Sequence, residues 1–188
     1  MSQNLDIFLI RHSKPLIEAG TCYGQLDCPV CDDYPLQLAK ISDYFSDKKI
    51  NAIYSSPLIR CRKLAEDLAK QLINKPIIYM DGFKEIHFGE WEGKQWDDIP
   101  RDKIDEWNEN RLHFQFPQGE TPNQFHKRVS QAWSELIVSA SNAVAPQKIV
   151  VVTHSGVICS LLCRHFNIAL ENVTELKVQY ASITYLRI

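Results

Sequence analysis

Apolar residues along this chain gather in short continuous runs, separated by longer stretches with helical spacing. Leu5–Ile10, Asn51–Ser55, Ile77–Met80 and Lys148–Thr153 are such runs, and they predict four strands, the first of them buried. Between them the period changes. Leu36–Phe45 reads as a short helix. Ser56 as N-cap and Pro57 at the first helical position predict a second helix to about Ile73. Leu58, Cys61, Leu64, Ala65, Leu68 and Leu72 form its apolar face. A third amphipathic helix spans Glu120 to about Asn142, and a fourth runs from Gly156 to about Phe166. Leu176–Ile188 supplies one or two closing strands. Two irregular segments remain: Ser13–Pro35, marked by Pro15, Gly20, Gly24, Pro29 and Pro35, and Asp81–Trp107, punctuated by glycine and tryptophan. Alternating strands and helices imply an α/β sandwich around a mostly parallel sheet. With no linker or repeat in its 188 residues, one domain over 1–188 is expected.

Ligand sites in such sheets lie beyond the carboxyl ends of the strands. Arg11 and His12 follow the first strand, and His154 follows the fourth. Arg60 falls in the first turn of the helix after the second strand, off that helix's apolar face. One such histidine is ordinarily a structural residue. Three strand ends converging on one edge make a composite site. Two arginines and two histidines favour a phosphoryl anion over a metal, because guanidinium forks match phosphate oxygens. A neutral imidazole can attack phosphorus while a second, cationic one binds an oxygen. Departure of an alkoxide needs a proton donor. Glu85 is the leading candidate in Phe83-Lys84-Glu85-Ile86-His87-Phe88-Gly89-Glu90-Trp91-Glu92-Gly93, and spacing does not separate it from Glu90 and Glu92.

Composition narrows the partners. The formal charge is −2, with no basic stripe, which argues against nucleic acid. No run is long enough to span a membrane. Met1–Asp6 lacks the basic and apolar regions of a signal peptide, so a cytoplasmic location is expected. The six cysteines are then expected to be reduced. Cys28 and Cys31 have metal-ligand spacing but lack a second pair, and no metal or cofactor is expected. Trp91, Trp96 and Trp107 could stack a nucleoside base, although buried loop anchors are the commoner reading.

These motifs carry a family resemblance over nearly the whole chain. Ile10-Arg11-His12-Ser13 resembles the Arg-His-Gly signature of the histidine phosphatase superfamily, in its phosphoglycerate-mutase-like branch. Ser55-Ser56-Pro57-Leu58-Ile59-Arg60-Cys61 resembles its second arginine motif, Glu85–Gly93 its acid-bearing segment, and Thr153-His154-Ser155-Gly156 its second-histidine motif. The resemblance implies a three-layer α/β/α sandwich. It implies His12 as phosphorylated nucleophile, Glu85 as general acid, and Arg11, Arg60 and His154 as the phosphate pocket, with the Ser155 N–H as a further contact. Three departures stand out. Ser13 replaces the usual glycine, Glu18 stands where many members have asparagine, and the segment after Leu36 lacks a glycine. Cys22–Val30, with Tyr23-Gly24, Trp91-Glu92-Gly93, Trp96-Asp97 and Pro117–Thr121 are similar to alpha-ribazole phosphatase-like members. Gln25 is a candidate substrate or phosphate contact there, or an ordinary turn residue. The resemblance implies a metal-independent phosphomonoesterase for a small-molecule ester such as alpha-ribazole 5′-phosphate in cobalamin synthesis. Other sugar or nucleotide phosphates, phosphohistidine, mutase activity and an inactive phosphate-binding module are the alternatives. A homodimer is compatible with it.

Overall fold

The computed structural model describes residues 5–72, 77–142 and 147–188. Five strands form one sheet: β1 (Leu5–Arg11), β2 (Ala52–Ser55), β3 (Ile78–Tyr79), β4 (Gln147–Thr153) and β5 (Ile183–Arg187), in the order β3-β2-β4-β1-β5. The first four are mutually parallel, and β5 pairs antiparallel with β1. The last segment therefore gives one strand, on the edge. Arg11 lies opposite Thr153, and Ser55 opposite Val152. That register brings His12, His154 and the residues after Ser55 to one edge of the sheet.

The alternation of side chains along β1 divides the core. Ile7 and Leu9 face α4 (Pro122–Ser141) and α5 (Ser155–Phe166), in a cluster with Phe125, Val129, Leu136 and Ile158. Phe8 and Ile10 face α1 (Tyr34–Phe45) and α2 (Ile59–Leu72), with Ile41, Phe45, Leu64 and Leu68. Both faces of the central strands are thus covered, as parallel sheets require, and the expected three layers result. Each fully buried aliphatic side chain contributes about 1.5–3 kcal/mol.

The structure shifts several boundaries. α1 begins at Tyr34 rather than Leu36, with Pro35 inside its first turn. α2 begins at Ile59, not at Pro57. Ser56 is not simply its N-cap, because its hydroxyl also meets His154. The Ile59 N–H instead donates to Asp27 Oδ1 at 2.6 Å, a cap supplied by the long loop. The expected α2 end at Ile73 lies outside the described residues. Glu120 lies outside α4, whose N-cap is Thr121, in a capping box with Gln124.

The segment read as irregular over Asp81–Trp107 contains a helix, α3 (Arg101–Glu109). It buries none of its residues fully and carries the ion pairs Arg101–Asp105 and Lys103–Glu106. Only Ile104 and Trp107 lean on a third cluster, built from Cys22, Trp91, Ile99, Phe114 and Phe116. Trp91 is interior, and Trp96 and Trp107 stack on one another with ring centroids 5.9 Å apart. Trp91 belongs to this cluster, and Trp96 and Trp107 pack against it half-buried.

Candidate active site

His12 and His154 leave adjoining parallel strands, and their ring centroids stand 5.0 Å apart. Both are buried. The His12 N–H donates to Thr153 O at 2.8 Å, which ties the two strand ends together. His12 Nδ1 lies 2.7 Å from the Ser13 carbonyl oxygen. A carbonyl can only accept, so the ring proton belongs on Nδ1 and the Nε2 lone pair is free. Burial first, and then the Arg60 charge, hold this imidazole well below its ordinary pKa. A neutral His12 is the form able to attack phosphorus.

His154 is also held well below its ordinary range, by burial first and then by Arg60 and His12. These influences oppose the cationic form expected of the second histidine. A phosphate dianion would offset the arginine charges and favour protonation again. Ser56 Oγ lies 2.8 Å from His154 Nε2 and fixes the ring. Ser56→Ala removes that contact, worth about 1 kcal/mol, and is expected to lower kcat/KM about five- to tenfold. Ser56→Thr, which keeps the hydroxyl, should recover most of the loss. Equal kcat/KM for wild type and Ser56→Ala would show that the ring needs no such partner.

Arg60 is fully buried. Its two terminal nitrogens donate to loop carbonyls, Nη1 to Leu26 O at 2.8 Å and Nη2 to Gly24 O at 2.6 Å. Arg11 Nη1 donates to Val178 O at 2.6 Å, and its guanidinium lies 3.7 Å from the Tyr180 ring centroid. The Nε–H of each arginine and the Ser13 hydroxyl are buried without a protein partner. Unpaired buried donors are rare and need an explanation. Here they are the right kind of group for an oxyanion. Tyr23 and Tyr180 join their hydroxyls at 3.0 Å, with ring centroids 6.5 and 5.7 Å from that of His12. They roof His12.

Glu85 reaches the same edge from the segment after β3. One oxygen accepts from its neighbour's Ile86 N–H, and the other from the Gly156 N–H in the first turn of α5, each at 3.0 Å. A methyl group at Gly156 would overlap the Glu85 carboxyl, so only glycine permits this approach. Burial raises the Glu85 pKa, opposed by those two N–H groups and by Arg60 and Arg11. Glu92 does something different: its Oε1 accepts from the Gln25 and Phe88 N–H groups and holds the loop. Glu90 is exposed. Gln25 turns its amide onto the Glu85 carbonyl, at 2.9 Å. Ser155 opens α5 directly after His154, so its N–H belongs to the first turn, where no intrahelical acceptor exists.

The structure thus brings His12, His154, Arg11, Arg60, Glu85 and Ser155 to one sheet edge. Sequence reasoning missed Ser56, Tyr180 and Asp27. Ser56 directly follows β2, so the strand-end rule pointed at it, but the helix-cap reading absorbed it. Tyr180 and Asp27 carried no local signal. Among the described residues, no helix is long and apolar enough to cross a membrane, and no cluster of histidine, cysteine and carboxylate side chains could hold a metal ion.

Comparison with known proteins identifies the family and the fold. The family model of the histidine phosphatase superfamily (branch 1) matches residues 7–188. A Hydrogenobacter thermophilus protein provisionally named phosphoserine phosphatase 2 is 28% identical over 182 residues, covering 95% of this chain and 87% of that one. The fold is similar to the alpha-ribazole phosphatase of Shigella flexneri, with a TM-score of 0.84 and 22% identity over 96% of this chain and 89% of that one. It is also similar to a mutant phosphoserine phosphatase of Entamoeba histolytica in complex with phosphoserine, with a TM-score of 0.82 and 22% identity over 96% of this chain and 89% of that one. Matched over nearly its whole length, the chain belongs to branch 1 of the histidine phosphatase superfamily.

Proposed function

We propose that this phosphatase-family protein is a metal-independent phosphomonoesterase that works through a phosphohistidine on His12. The observation that carries this reading is the pair of buried, unpartnered arginine Nε–H groups beside a histidine whose Nε2 is free. The two guanidiniums receive the phosphate dianion and neutralise charge as it shifts. His12 Nε2 donates its lone pair to phosphorus as the phosphorus–oxygen ester bond breaks. The departing oxygen takes a proton from the Glu85 carboxyl, whose pKa burial raises against the pull of the Gly156 and Ile86 N–H groups and the two arginines. Water then attacks the phosphohistidine, the Glu85 carboxylate takes its proton, and the nitrogen–phosphorus bond breaks. Inorganic phosphate leaves, and both residues return to their starting states.

A small-molecule ester is the substrate class. Relatives named for phosphoserine and alpha-ribazole 5′-phosphate make these two esters the first to test, since both have alkyl leaving groups. The leaving group supplies the experiment. Glu85→Gln should lower turnover of an alkyl phosphate such as phosphoserine about 10²-fold. Turnover of p-nitrophenyl phosphate should fall far less, because nitrophenolate departs without a proton. Both assays are run in EDTA. The alkaline limb of the alkyl-ester pH profile should disappear in the same variant, since ionisation of Glu85 sets that limb. Equal losses on both esters would remove Glu85 from the acid role.

A further inference from the structure

The Glu85 side chain is held by two backbone N–H groups, but its backbone is held from α4. Arg128 Nη1 donates to the carbonyls of Gly82 at 3.0 Å and Lys84 at 2.9 Å. Its Nη2 donates to the Glu85 carbonyl at 3.2 Å. The other edge of the fork meets Glu120, with Nη2 to Oε1 at 2.5 Å and Nε to Oε2 at 3.2 Å. Glu120 continues the grip: Oε1 accepts from the His87 N–H at 2.9 Å, and the Glu120 N–H donates to the His87 carbonyl at 3.0 Å. Residues 82, 84, 85 and 87 are thus fastened by one ion pair, on both sides of the acid.

We infer that Arg128, locked by Glu120, is the positioning residue for the general acid. The inference rests on the assignment of Glu85 as proton donor. A carboxyl must lie within hydrogen-bond reach of the departing oxygen, and displacement of a catalytic group by about 1 Å can cost 10²-fold. A flat guanidinium serves several acceptors in fixed directions, whereas an ammonium is a point charge on a flexible stem. Arg128 touches neither His12 nor the other phosphate-pocket residues through any hydrogen bond in its network. Its charge acts on His154 more weakly than those of Arg60, His12 and Arg11, so its loss should fall more on proton transfer than on phosphate binding.

A feature of the surface makes the test stringent. Arg128 borders a solvent-open cavity together with Asp81, Gly82, Gln131 and Glu135, and its side chain is 25% exposed. A small cation can reach the position that the guanidinium occupies. The measured quantity is the ratio of kcat on phosphoserine to kcat on p-nitrophenyl phosphate in one preparation, which does not depend on the folded fraction. Arg128→Ala should lower this ratio about tenfold, and Arg128→Lys should lower it less. Guanidinium chloride in the low millimolar range should raise the ratio in Arg128→Ala, and equal sodium chloride should not. An unchanged ratio, or equal losses on both esters without guanidinium rescue, overturns the positioning role. Glu85→Gln in the same assay separates the two ideas. If it lowers the ratio and Arg128→Ala does not, only the positioning role falls. If Glu85→Gln leaves the ratio unchanged, the acid assignment falls and takes the positioning role with it.

Discussion

Replacing His12 by alanine should lower turnover of p-nitrophenyl phosphate in EDTA by about 10⁴-fold or more, the scale seen when a covalent nucleophile is removed. No neighbour can take its place. His154 Nε2 is engaged by Ser56 Oγ at 2.8 Å. Cys61 Sγ stands 3.5 Å from the same nitrogen, but burial pushes its pKa far up, so it remains a thiol. The fold should survive, because the Nδ1 bond lost is local, to Ser13. The expected intermediate gives a second readout. Wild type quenched during turnover should carry an acid-labile phosphoryl group on His12. Activity of His12→Ala within tenfold of wild type would refute the phosphohistidine route.

Replacing Arg60 by methionine should cost about 10³-fold in kcat/KM, at the upper end for one preorganised anion-stabilising donor. Stability should change little, for two opposing reasons. A buried cation without a carboxylate partner among its hydrogen bonds is removed, which is favourable. The carbonyls of Gly24 and Leu26 lose their donor, which is not. Inorganic phosphate sharpens the test. A ligand at about 100 times its Kd stabilises the native state by about 2.7 kcal/mol, which raises the wild-type Tm by several degrees. Arg60→Met should lose most of that rise. A rise equal to the wild type's would place the phosphate elsewhere.

The strands were legible because they are short and apolar on both faces, and the strand-end rule then located His12 and His154. Arg60 was legible through its position in the turn after a strand. Helix α3 was not, since only Ile104 and Trp107 in it lean on an apolar cluster and ion pairs line its surface. The start of α2 was misread because the capping is shared: Ser56 meets both the Leu58 N–H and His154, and an aspartate from a distant loop accepts from the Ile59 N–H. Family resemblance named Glu85 where spacing left three acids open. What separates it from Glu92 is tertiary, namely the Gly156 N–H on one and the loop N–H groups on the other. Arg128 was beyond sequence reasoning, since its carbonyl acceptors lie more than forty positions earlier.

The aromatic cluster around Trp91 shares no buried residue with either sheet-facing core. It forms a cap that meets the sheet-facing core through Ile86 and the site loop through Cys22, beside an edge that carries His12 and His154. Such a division makes the catalyst modular. Residues of α3 can diverge in length and sequence, while Glu92 keeps its hold on the loop whose carbonyls meet Arg60 and the sheet edge keeps its geometry.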